Sequence, residues 1–182
     1  MRLFVGLSLP ENVAFTLELL RGGIHGARWE SKDKLHLTLR YIGEVDGGMV
    51  KRVERALASI EADPFSMAIR GVGHFPPRGK PKSVWAGIDD PAPVTDLHER
   101  IDHALTDLGL EPDRRNFAPH ITLARLRDPS SIEVAEFLTR HALLSSPPFR
   151  VDRFLLYSSI RSPKGSKYAV EAAYPLEGRA RA

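Results

Sequence analysis

The sequence predicts an α+β protein of mainly antiparallel sheets. Three observations point there. Strand and helix patterns alternate along the whole chain with no low-complexity linker, several strand patterns are joined by loops or hairpins, and the two halves carry strands and helices in similar number. The last of these hints at an internal duplication.

Residues 2–8 (RLFVGLS) read as the first strand, and Pro10 presets the first turn of an amphipathic helix that runs to about Leu20 and stops at Gly22 and Gly23. Residues 27–30 are a short extended piece. Residues 35–42 (LHLTLRYI) alternate Leu35, Leu37 and Leu39 against His36, Thr38 and Arg40, which is the period of a strand with one apolar face. Asp46 can cap a helix over 49–62, where Val50, Val53, Leu57 and Ile60 form one stripe. Residues 65–72 and 83–88 read as strands flanking a Pro/Gly/basic loop, 74–81 (HFPPRGKP). A long helix over 94–108 ends at Gly109, a strand follows at 119–126 (PHITLARL), and a further helix covers 130–141. Residues 149–160 and 167–174 then form a hairpin across 162–166, a turn that contains Pro163 and Gly165.

Composition narrows the function classes. The chain has 182 residues, 42% hydrophobic and 27% charged, which suits one soluble domain and excludes disordered and fibrous classes. No apolar run reaches the ~18 residues of a membrane span, and no secretory leader precedes the first apolar stretch. The absence of cysteine excludes disulfides, thiolate nucleophiles and cysteine-ligated metals, and fits a cytoplasmic setting. The formal charge is +3, with 13 basic and 11 acidic residues in positions 1–91 against 13 and 12 in positions 92–182. No basic block concentrates the excess, so wrapping of duplex nucleic acid along its phosphates is not expected, whereas a small anionic ligand is permitted.

The strongest signal is a repeated tetrapeptide, His36-Leu37-Thr38-Leu39 and His120-Ile121-Thr122-Leu123. A random chain with this many His and Thr residues would hold roughly 0.2 H-x-T tripeptides, and roughly 0.01 once the aliphatic positions are required. Within a strand the pattern presents imidazole and hydroxyl on one face and anchors the aliphatic pair in a core. Two such strands facing one another make a site with two imidazoles, one able to take a proton and one able to give it, and two hydroxyls able to bond the oxygens of an anion. That set suits phosphoryl transfer without a metal.

Around these motifs the sequence resembles a known family. Arg2-Leu3-Phe4-Val5, 35–45 (LHLTLRYIGEV), Val84-Trp85-Ala86-Gly87, 117–125 (FAPHITLAR) and 156–165 (LYSSIRSPKG) are similar to the two-histidine (2H) phosphoesterases of the LigT-like branch, the RNA 2′,3′-cyclic phosphodiesterases or 2′-5′ RNA ligases. The resemblance covers nearly the whole chain. It implies a single domain over 1–182 of two pseudo-symmetric lobes, with the motif strands lining a central cleft. It also implies a hydrolase that opens a 2′,3′-cyclic phosphate on RNA or a nucleotide to a 2′-phosphomonoester, with 2′-5′ ligation as a second activity of some members. Carried over by position, His36 and His120 become the acid–base pair, and Thr38 and Thr122 the donors to phosphate oxygens. His120 is taken as base toward water and His36 as acid toward the 3′-oxygen, although the pseudo-symmetry leaves the reverse open.

Three further residues are candidates for binding substrate. Arg125, five residues after His120, matches an arginine common in the family's second motif and could neutralise phosphate, although strict strand parity puts it on the opposite face. Arg40 shares the parity of His36 but is less typical of the family. Trp85 could stack on a base, as could Tyr41, Phe75 and Phe117. No cofactor, metal or membrane is expected, and the chain is expected to act as a monomer. His98 and His103 are spaced by five on a helix and do not form a metal pair, and His25, His74 and His141 sit in loops or at helix ends. Two other functions remain: a non-catalytic module that binds RNA ends or nucleotides, and a phosphodiesterase for another small cyclic phosphate.

Overall fold

A computed structural model describes residues 1–178, so the last four positions of the expected domain, 179–182, lie outside the described residues. The first half runs β1 (Arg2–Ser8), α1 (Glu11–Glu18), β2 (Arg28–Trp29), a 3₁₀ turn (Lys32–Lys34), β3 (His36–Glu44) and α2 (Gly47–Ala58). The second runs β4 (Phe65–Phe75), β5 (Ser83–Asp89), α3 (Ala92–Thr106), β6 (Ile121–Arg125), α4 (Ser131–Arg140), β7 (Phe149–Val151), β8 (Arg153–Ser162) and β9 (Gly165–Pro175). The predicted alternation is present, with two differences. The stretch expected as one strand over 149–160 is broken at Asp152, whose carbonyl accepts from Leu176 N, so that β7 pairs with β4 while β8 pairs with β1 and β9. Most of the loop expected over 74–81 follows β4, but its first two residues, His74 and Phe75, belong to that strand.

The expected cap at Asp46 is present, and α4 has one of the same kind. Asp46 caps α2 by accepting from Met49 N at 2.8 Å, and Ser130 caps α4 by accepting from Glu133 N at 3.3 Å. Below them the strands form one antiparallel sheet in the order β7-β4-β5-β6-β3-β1-β8-β9, with β2 paired to β6. Outward from the centre, β6 answers β3, β5 answers β1, β4 answers β8 and β7 answers β9. This is the pseudo-two-fold arrangement that the family resemblance implies. At the centre β3 and β6 meet through one antiparallel pair, Leu37 opposite Ile121.

The aliphatic positions of both motifs are what hold the seam. Leu37, Leu39, Ile121 and Leu123 are all buried, each worth about 2 kcal/mol relative to an exposed side chain. They pack with β1 residues Leu3, Val5 and Leu7 and with α3 residues Leu97, Ile101 and Leu105 in a single core. The opposite face of the motif strands is thereby left for the polar residues. Among the described residues no helix is long and apolar enough to cross a membrane.

Candidate active site

Each motif strand carries a β-bulge at the same place, and the bulges decide what reaches the cleft. On β3, Thr38 pairs with Gly6 and Arg40 with Val5, so Leu39 has no opposite number. On β6, Thr122 pairs with Trp85 and Ala124 with Val84, so Leu123 has none. An extra residue reverses strand parity beyond it. In both strands two consecutive residues are consequently buried, Leu39 with Arg40 and Leu123 with Ala124. The residue five after each histidine then returns to the cleft face: Tyr41 after His36 and Arg125 after His120.

The two imidazoles are held alike. Each Nδ1 lies 2.7 Å from the carbonyl oxygen two residues earlier, Lys34 O for His36 and Ala118 O for His120. A carbonyl only accepts, so both rings carry the proton on Nδ1 and turn Nε2 toward the cleft. His36 Nε2 stands 2.9 Å from Thr38 Oγ1, whose hydroxyl donates to it while the ring is neutral. Burial pushes the pKa of both histidines below its ordinary value near 6.5. The carbonyl bond opposes that shift at each ring, while Arg125 adds to it at both and His120 adds to it at His36. The two rings and Arg125 therefore sense one another across a single space. Aromatic rings brace them: Phe4 lies 4.9 Å from His36 and Tyr168 meets it edge-on at 5.4 Å, while Phe75 meets His120 edge-on at 4.7 Å.

That space is a cleft of about 390 Å³ lined by His36, Thr38, His120, Thr122 and Arg125. Arg2, Lys34 and Arg161 add three more cations to its walls, against one carboxylate, Glu30. Glu30 lies 3.9 Å from Arg125. A second cavity of about 680 Å³ opens on the other side of His120 and shares that ring, Arg2, the two threonines, Tyr41 and Arg125 with the first. Its own wall carries Phe75, Asn116 and Phe117, and its cation Arg115 is paired with Asp113 at 3.6 Å. Among the described residues no three His, Cys, Asp or Glu side chains come together as metal ligands.

Five of the seven expected site residues thus meet in one cleft: His36, Thr38, His120, Thr122 and Arg125. Trp85 does not line it; paired with Thr122 it shares that face of the sheet, but its indole packs on Phe75 at 5.3 Å and lies 6.2 Å from His120. Arg40 is a correction. The bulge at Leu39 turns it away from the cleft, and it is buried in an ion pair with Asp102 of α3 at 2.6 Å, with further bonds to the carbonyls of Tyr41 and Glu111. Burial raises the Asp102 pKa, but the Asp113 N–H and Arg40 together hold it below its ordinary range. His98 is structural as well: its Nδ1 bonds Leu39 O at 2.7 Å and its ring stacks on Phe117 at 4.0 Å. Sequence reasoning missed Arg2, Lys34 and Arg161. The interval of five from His120 to Arg125, repeated from His36 to Tyr41, was the available sign of the paired bulges.

The comparisons with known proteins agree with this geometry. A family model described as the 2′-5′ RNA ligase superfamily matches residues 10–163. The chain is 33% identical over 172 residues to the RNA 2′,3′-cyclic phosphodiesterase of Archaeoglobus fulgidus, covering 92% of this chain and 96% of that relative. It is 30% identical over 191 residues to the RNA 2′,3′-cyclic phosphodiesterase of Thermotoga maritima, covering 98% and 97%. Among solved structures, TT0787 of Thermus thermophilus matches with a TM-score of 0.81 at 28% identity, covering 99% of this chain and 100% of that one. Escherichia coli LigT complexed with 3′-AMP shares the fold, with a TM-score of 0.76 at 24% identity over 97% and 98% of the two chains. Since the matched span covers most of the chain and holds both His-x-Thr motifs, the chain belongs to the 2′-5′ RNA ligase superfamily.

Proposed function

We propose that the protein opens 2′,3′-cyclic phosphates at the ends of RNA or nucleotides to 2′-phosphomonoesters, by acid–base catalysis between His36 and His120. The observation that carries this reading is the pair of imidazoles, each fixed through Nδ1 and presenting Nε2 to one cationic cleft. The relatives named as RNA 2′,3′-cyclic phosphodiesterases support it.

His120 is the base. Its Nε2 has no protein hydrogen-bond partner among the described residues, and it lies less deep than His36, so water reaches it. Water attacks phosphorus as its proton passes to His120 Nε2. The bond from phosphorus to O3′ breaks, and O3′ takes the proton of His36 Nε2. Protonation of His36 also reverses its bond with Thr38, because the ring then donates and the hydroxyl proton is free for a phosphate oxygen. Thr122 donates from the other strand, and Arg125 neutralises the charge that grows on the non-bridging oxygens. None of these steps calls for a metal. With a 5′-hydroxyl in place of water, the same step would yield a 2′-5′ linkage.

All of these groups come from one chain, which supports a monomer as the working unit, and the continuous sheet supports reading the chain as one domain of two lobes. A chain without cysteine fits the cytoplasm. The reaction is tested by incubating an RNA that ends in a 2′,3′-cyclic phosphate with the protein in excess EDTA and following products by phosphorus NMR. The expected product is the 2′-monoester alone. A 3′-monoester, or loss of turnover in EDTA, overturns the mechanism. Binding without turnover would indicate the non-catalytic module, and turnover confined to other cyclic phosphates would move the substrate away from RNA.

A further inference from the structure

The cleft holds more positive charge than one terminal phosphate needs, and the surplus lies on one wall. Along the hairpin of β8 and β9 the two-residue period brings Ser159, Arg161 and Ser166 to the cleft face. Arg161 is in register with Ser166, and Ser159 is in register with Arg2 of β1. Lys34 reaches the same place from the 3₁₀ turn that precedes β3. Its Nζ stands 3.8 Å from the point a Cβ on Gly165 would occupy, at the hairpin turn, while its carbonyl holds His36. The Ser162 hydroxyl donates to Gly165 O at 2.7 Å and ties that turn down.

Neither Lys34 nor Arg161 has a carboxylate within ion-pair distance among the described residues. This differs from Arg125, which has Glu30, and from Arg115 in the second cavity, which has Asp113. Two unpaired cations beside hydroxyls, in the same cleft as the catalytic quartet, are the complement of a second anion. The wall on the far side of His120 offers aromatic rings, a neutralised arginine and the shared Arg2, whose Nε donates to Tyr41 Oη, so the second anion belongs on the hairpin side, where two cations stand together without a carboxylate.

We propose that Arg161 and Lys34, with Ser166 beside them, form a subsite for the 5′-phosphate of the same nucleotide whose cyclic phosphate lies between the histidines; this rests on the reaction proposed above. On RNA that group is the phosphodiester leading to the preceding nucleotide, and on a mononucleotide it is a free 5′-phosphate. The chemistry is shared, so the protein selects 5′-phosphorylated ends over free nucleoside cyclic phosphates.

Three substrates test this: adenosine 2′,3′-cyclic phosphate, its 5′-phosphorylated form, and the dinucleotide ApA ending in the cyclic phosphate. Expected is a kcat/KM about tenfold or more higher for the second and third than for the first, the size of one charge-assisted contact. That ratio should fall toward 1 in Arg161→Ala and in Lys34→Ala and persist in Arg100→Ala, a remote surface change. A gain for the dinucleotide alone would assign the subsite to the diester, and a gain for the 5′-monoester alone would assign it to free 5′-phosphate. A ratio near 1 in the wild-type protein, or one that survives both substitutions, overturns the proposal. Calorimetry with adenosine 2′-phosphate and adenosine 2′,5′-bisphosphate reads the subsite separately. If no cyclic phosphate is hydrolysed, the proposed reaction fails, while tighter binding of the bisphosphate that is lost in Arg161→Ala still decides for the subsite and equal binding against it.

Discussion

His36 and His120 reach the same state by the same local bond, a ring N–H held by the carbonyl two residues earlier in the chain. Burial then lowers both pKa values, so the free protein at neutral pH holds two neutral rings. The proposed reaction needs one neutral and one protonated. The fraction of molecules in that state is largest between the two depressed values, so kcat/KM for a cyclic nucleotide should be bell-shaped with its apex on the acid side of about pH 6.5. An initial-rate profile checks this, and a plateau that extends upward from about pH 8 would contradict it. The identity of these residues was legible from the chain alone, because two matched tetrapeptides with alternating polarity state both the chemistry and the face it occupies. Their direction of titration was not. It depends on burial by strands distant in sequence, β1, β8 and β9 around His36 and β4 and β5 around His120.

At the scale of the strand, period-2 reasoning gave the right answer up to Thr38 and Thr122 and the wrong face beyond them. An unpaired residue at the same place in each strand, Leu39 and Leu123, exchanged the sides of the residues that come next, Arg40 and Tyr41 on β3 and Ala124 and Arg125 on β6. Arg125 consequently lines the cleft and Arg40 does not. The β3 bulge is held from the core side, through His98 on Leu39 O and Asp102 on Arg40. Arg40 also bonds Glu111 O, and Asp102 accepts from Asp113 N at 3.1 Å. Those bonds anchor the segment that leads through Phe117 to Ala118, the carbonyl partner of His120. Replacing Arg40 by Met leaves Asp102 without its counter-charge and should cost about 3–5 kcal/mol in urea unfolding. The double change Arg40→Met with Asp102→Leu should cost less than the sum of the two single changes. A loss below about 1 kcal/mol for Arg40→Met would mean that the pair does not hold the bulge.

For the molecule as a whole, the fold class and the order of elements followed from turn residues, caps and apolar stripes, which are local signals. The sheet order β7-β4-β5-β6-β3-β1-β8-β9 was not legible, because it rests on pairings between distant strands; the repeated motif announced only that two similar strands face one another. The cationic wall was not legible, because Arg2, Lys34 and Arg161 are brought together only when β1 and β8 pair and the 3₁₀ turn folds against the hairpin. The same assembly makes stability depend on pH. Both histidines bind protons less readily folded than unfolded, so the unfolded chain takes up more protons as pH falls below about 6.5, and stability falls with it. The melting temperature should therefore drop between about pH 7.5 and about pH 5.5, and drop less steeply in His36→Asn, by differential scanning calorimetry. An unchanged slope in that variant would contradict the buried, neutral assignment. The central claim, that both imidazoles act on one phosphate, is tested most directly by single-turnover hydrolysis of a 2′,3′-cyclic nucleotide by the wild-type protein, His36→Asn, His120→Asn and the double variant. The account predicts a loss of roughly 10²–10⁴-fold for each single change, with a double loss smaller than the product of the two. Wild-type rates in either single variant, or fully multiplicative losses, would contradict it.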